Sequence, residues 1–160
     1  MIAFFPLASA AFIADLASTF GVKGRTVLQN SRCLSADVNA AFDPTFPDVF
    51  EKRNSALLNG GVCVTKYTGS RGKSGTSDAS AEFAGEIRRL LDANGVIWQT
   101  GELGKVDIGG GGTVAAYIAN LDVNTIDVGV PVLSMHAPFE ITAKTDIWAA
   151  YRAFEAFVNN

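Results

Sequence analysis

The chain has 160 residues, 48% hydrophobic and 18% charged, with a net charge of −3 at pH 7. That composition supports one domain with a real core over 1–160 and excludes a disordered chain. The slight acidity argues against nucleic acid as a partner, because phosphate backbones select basic faces.

Residues 1–20, MIAFFPLASAAFIADLASTF, are apolar and carry no Lys or Arg. The missing positive n-region and the interrupting Asp15 speak against a secretory leader. Pro6, Ser9, Asp15 and Ser18 break up a membrane span, so no membrane partner is expected. The stretch reads as a buried helix beginning near Pro6 and ended by Gly21. So apolar a helix is awkward at a free terminus and calls for a partner surface. Residues 21–25 read as a turn, and 26–29 and 32–38 as strand-like segments. Residues 40–59 are loop-like, with Asp43-Pro44, Phe46-Pro47 and a solvated Glu51-Lys52-Arg53 run. Residues 62–67, VCVTKY, alternate and read as a strand. The two cysteines, Cys33 and Cys63, both fall in predicted strands, and no CxxC or HxxxH spacing exists. They read as buried free thiols in a reducing, cytoplasmic setting. A disulfide between them stays open on spacing alone.

Residues 69–75 form a polar glycine loop. The spacing of Ala79, Phe83, Ile87, Leu90 and Leu91 predicts a helix over 76–93, capped by Thr76 or Ser77 and stopped by Asn94-Gly95. A strand over 96–100, a glycine run at 109–112, a short helix over 113–120 and a buried strand over 125–129 follow. The last helix spans 144–158, with Ile147, Trp148, Tyr151, Phe154 and Val158 as its apolar stripe. Strands alternating with helices indicate an α/β layer architecture.

Four segments bear on chemistry. GSRGKSGT, at 69–76, fails as a phosphate loop: G-x-x-x-x-G-K-[ST] needs a glycine where Tyr67 stands. It reads as a polar connector. IGGGGT, at 108–113, precedes a helix and leaves bare backbone that a peptide or anion can approach, or simply makes a tight turn. Asp37 follows an apolar strand, where an unpaired carboxylate is costly, so it needs a cap, an Arg or a metal. His136 is the only histidine. It sits where the strand of Ile126 and Val128 has ended and Pro138 stops any extended run, at an edge where α/β sheets bind ligands. A hydrogen-bonded core histidine is the plain alternative.

VPVLSMHAPFEITAKTDIWAAYRAF and CLSADVNAAFDPTFPDVFEKRNSALLNGGVCVTKY resemble the C-terminal part of the catalytic domain in the aspartyl aminopeptidase / vacuolar aminopeptidase I family. These are dinuclear zinc metallo-aminopeptidases. The two matches stand in the family's order and cover about residues 30–157. The resemblance implies a three-layer mixed sheet flanked by helices, and removal of single residues from peptide N-termini. It implies two zinc or other divalent ions that share a carboxylate and activate water. Asp37 and His136 match metal ligands, one for each ion. Lys66 matches a basic position near the substrate, and Gly110, Gly111 and Gly112 would line the pocket. The family's His-x-Asp segment and its Glu-Glu pair, which supplies a ligand and the general base, precede this region and have no match here. Two of about five expected ligands are therefore present. The family's oligomerisation domain has no match either. The chain accordingly reads as part of a catalytic domain, inactive alone, with a peptide substrate and either like copies or a missing N-terminal half as partners. Its rivals are a non-catalytic oligomerising subunit and a peptide- or anion-binding module built on the glycine loops.

Overall fold

The computed structural model describes residues 4–69, 75–105 and 107–160. The chain begins with a helical pair, α1 (Phe4–Thr19) and α2 (Gly24–Gln29). Strand β1 (Arg32–Ser35) and the short β2 (Asn39–Ala40) follow, then two 3-10 turns at Pro47–Val49 and Lys52–Asn54. Next come β3 (Val62–Thr65), α3 (Ala81–Ala93), β4 (Trp98–Thr100) and α4 (Ala115–Ala119). Strands β5 (Asn124–Gly129) and β6 (Pro131–Val132) and helix α5 (Lys144–Val158) complete it.

The main sheet has the order β1-β5-β3-β4. Strands β1 and β5 are parallel, β3 and β4 are parallel, and β3 runs antiparallel to β5. It is thus a mixed sheet flanked by helices. Side chains alternate between the faces of a strand. Val62, Val64, Ile126 and Val128 share the face covered by α3 and α5, where Phe83, Ile87, Leu91, Ala149, Ala150 and Ala153 complete the apolar core. The opposite face carries a polar row in register: Ser35 beside Asp127, and Asp127 beside Thr65. All three are buried. A second, two-stranded sheet pairs β2 with β6 in parallel.

Helix α3 buries Phe83, Ile87 and Leu91, as the periodicity predicts. It starts at Ala81, later than the predicted 76. The Ser80 hydroxyl accepts the Phe83 N–H at its N-terminus, while Thr76 is occupied with the Thr68 backbone and hydroxyl. A bridge between Tyr67 and Asp78 keeps the preceding residues extended. Gly95, at φ +61°, ends the helix.

Four other expectations need correction. Residues 26–29 are helical, not strand-like. Gly24 lies so close to α1 that an added Cβ would stand 2.7 Å from Ala14 Cα, and this docking overrides the weak strand preference of Thr26 and Val27. Of the strand-like 32–38 segment only Arg32–Ser35 is a strand, and residues 36–38 around Asp37 break the run before β2 begins at Asn39. Helix α1 exists but is not buried: Phe12 is 68% and Leu16 50% exposed. Helix α5 turns Asp146, Ala149, Ala150 and Ala153 inward, while Trp148, Tyr151 and Val158 are exposed. Small residues let it lie close to α3 and β3. The glycine segment GSRGKSGT falls largely outside the described residues.

Candidate metal and peptide site

Asp37 stands in the three-residue break between β1 and β2, half-buried, with its carboxylate accepting the Val38 N–H at 2.9 Å. Behind it lies the end of β5. A Cβ on Gly129 would sit 1.4 Å from the Asp37 carbonyl oxygen, so only glycine lets β5 approach this closely.

His136 sits in a loop that leaves β6 and folds back at once. Leu133 and Ile141 close the loop with reciprocal backbone bonds of 2.9 and 3.1 Å, and the Ala137 N–H donates to the Ser134 carbonyl. Ser134 and His136 both adopt positive φ, at 59° and 69°. Such backbone persists in non-glycine residues only where the surroundings impose it. Here Glu140 helps, accepting the His136 backbone N–H at 2.6 Å. The imidazole itself is exposed and accepts no bond among the described residues. It is not a hydrogen-bonded core histidine.

These two side chains line one cleft of about 430 Å³. Gly110, Gly111, Gly112 and Thr113 form another part of its wall, with Met135, Leu103 and Phe50. The glycine wall is built against residue 69. The Gly69 N–H donates to the Gly111 carbonyl at 2.7 Å, and a Cβ on Gly110, whose φ is +111°, would stand 1.8 Å from the Gly69 oxygen. Gly111 has open space where a Cβ would be. Packing therefore demands glycine at 110, whereas at 111 the bare backbone faces room. Lys66 does not line the cleft. It is exposed just beyond β3, and its Nζ lies 2.5 Å from Asp78 Oδ1.

Asp127, which the sequence reading did not single out, stands behind the cleft. Its Oδ2 accepts the Thr113 hydroxyl at 2.8 Å, and its Oδ1 is buried without a partner among the described residues. Burial pushes its carboxyl above the usual carboxylate range. The hydroxyls of Ser35 and Thr113 oppose that rise, and the charge of Asp37 adds to it. The signal was in the sequence: an acid between Ile126 and Val128 is costly on a buried strand.

A carboxylate and an imidazole are chemically suited to a divalent ion such as zinc. Among the described residues, no three His, Cys, Asp or Glu side chains gather as a metal site. Asp37 and His136 thus fit as two members of a larger ligand set, not as a complete one.

The sequence profile described as Aminopeptidase I zinc metalloprotease (M18) matches residues 11–158. The chain belongs to this M18 family of zinc metallo-aminopeptidases. A probable M18 family aminopeptidase 1 of Clostridium acetobutylicum is 53% identical over 152 residues, covering 92% of this chain and 33% of the relative. The crystal structure of aminopeptidase I from the same organism superposes with a TM-score of 0.86 over 93% of this chain and 32% of that one, at 52% identity. An M18 aminopeptidase structure from Thermotoga maritima gives 0.87 at 41% identity, covering 92% of this chain and 34% of its own. The mApe1 dodecamer of Saccharomyces cerevisiae gives 0.67 at 25% identity, over 85% of this chain and 28% of that one. The chain spans about a third of the length of the relatives it matches. Zinc is the cofactor of the family. No helix among the described residues is long and apolar enough to cross a membrane.

Proposed function

We propose that this chain supplies part of the active site of a metal-dependent aminopeptidase that releases residues one at a time from peptide N-termini. Residues 1–160 form a single domain corresponding to the C-terminal half of the catalytic domain. Asp37 and His136 each give a ligand to one of two zinc ions, and Gly110, Gly111 and Gly112 border the bound peptide. Lys66 contacts substrate once its pairing with Asp78 gives way. Zinc, when bound in such a site, polarises the scissile carbonyl and lowers the pKa of water. The observation that carries the reading is the convergence of Asp37 and His136, 99 positions apart, on one cleft with the glycine wall. Two ligands serving different ions cannot hold zinc tightly, so the chain alone has no peptidase activity.

Like copies of the chain are the partners this reading favours, in a cytoplasmic setting. The exposed apolar surfaces of α1 and α5 and the dodecamer among the structural neighbours support it.

Cobalt titration followed by NMR tests the ligand assignment. Paramagnetic Co²⁺ at about millimolar concentration should broaden signals around residues 36–38 and 134–137. Asp37→Ala should remove the first effect alone, and His136→Ala the second alone. Broadening that survives both substitutions would overturn the assignment. Turnover of aminoacyl-anilides by the isolated chain with Zn²⁺ or Co²⁺ would overturn its inactivity.

A further inference from the structure

Asp127 is the buried acid that the ligand assignment leaves without a task. Three observations give it one. Its Oδ2 holds the hydroxyl of Thr113, the residue at which the glycine wall ends and α4 is about to begin. Its strand also backs the other side of the cleft, because Gly129, two residues on, abuts the Asp37 backbone without room for a side chain. And no hydrogen bond within the described residues uses the N–H of Gly111 or Gly112, so those amides are free to meet a ligand.

We infer that Asp127 is a positioning residue: through Thr113 it fixes the glycine wall at a set distance from Asp37, with the Gly111 and Gly112 amides turned to the cleft. What the wall meets, a peptide backbone, rests on the aminopeptidase reading. The anchoring itself does not. A carboxylate suits the task because a hydrogen bond to a charged acceptor is stronger than a neutral one, and its partner is a single hydroxyl at the mouth of a flexible glycine run. A loop of glycines has more backbone freedom to lose than any other, so an anchor at its end decides whether it holds one shape.

Amide hydrogen exchange on the 160-residue chain, without metal, tests this. Thr113→Val removes the donor and keeps the shape. Exchange at Gly69, whose N–H donates to the Gly111 carbonyl, and at Gly109, whose N–H donates to the Lys105 carbonyl, should then rise about tenfold or more, while amides of Phe83, Ile87 and Leu91 in α3 keep their rates. Thr113→Ser, which restores a hydroxyl, should bring the loop rates back to within about threefold of the parent. Asp127→Asn keeps an acceptor and should disturb the loop less than Thr113→Val. Loop rates unchanged in Thr113→Val would overturn the inference. So would a rise shared equally by α3, or a failure of serine to restore protection. The cobalt signals at Asp37 and His136 report separately on the aminopeptidase reading, so the two can fail independently.

Discussion

Cys63 lies on β3, sealed from solvent, and burial pushes its thiol up to about 12, with Glu102 adding to the rise and Thr65 opposing it. In the unfolded chain the thiol loses its proton near the ordinary value of 9. The folded state keeps that proton longer, so the group's contribution to stability is intact below pH 9 and is lost as pH rises toward 12. The stability difference between the parent chain and Cys63→Ala should therefore shrink from pH 9 upward, as read by urea unfolding at each pH. A difference that stays constant would contradict the buried thiol. Cys33, half-buried and also raised by burial, should react with a thiol reagent before Cys63 does at pH 8. At this scale the sequence singled out two residues that line the cleft. Asp37 and His136 were legible because the surrounding words matched a family pattern. Asp127 and Asp146 stand out only as acids inside apolar stretches, because such a residue does not say which hydroxyl or amide will meet it.

Among the elements, α5 depends on such an acid. Asp146 is fully buried in its first turn, and its two oxygens accept the N–H groups of Asn59 and Gly61 at 2.8 and 2.9 Å. Asp146→Ala leaves both donors short of a partner and should cost about 3 kcal/mol of unfolding free energy, measured by urea denaturation. A loss below about 1 kcal/mol would show that water replaces the carboxylate freely. Helix α3 depends on its cap, and Ser80→Ala should cost about 1 kcal/mol by the same measurement. At the end of β5, Gly129→Ala must push Asp37 aside. Cobalt broadening near Asp37 should be lost in this variant and kept near His136. Elements with strong periodicity, such as α3 and β5, could be read from the sequence. The 26–29 segment could not, because contact with Ala14 decides it. The inward face of α5 was misread for a related reason: the sequence shows which residues are apolar, but close packing against a neighbouring helix selects the small ones.

Over the whole molecule, apolar surface remains uncovered at both ends of the chain. Phe12, Leu16 and Phe20 are exposed along and just beyond α1, and on α5 Trp148 stacks on Tyr151 in the open at 5.2 Å between ring centroids. Isolated domains seldom leave such faces uncovered. Sedimentation velocity should show association that grows with concentration, and Phe12→Glu with Phe20→Glu should reduce it. A parent chain that stays monomeric at all concentrations would contradict self-association through these faces.

On the proposed reading, Asp37 and His136 serve a peptidase site in a chain that spans about a third of the length of its M18 relatives. Replacing the matching third of the Clostridium acetobutylicum relative with this chain tests it directly, by hydrolysis of aminoacyl-anilides in the presence of zinc. The chimera should be active and should lose about 100-fold or more of its kcat/KM in either Asp37→Ala or His136→Ala. A folded, active chimera indifferent to both substitutions would contradict it.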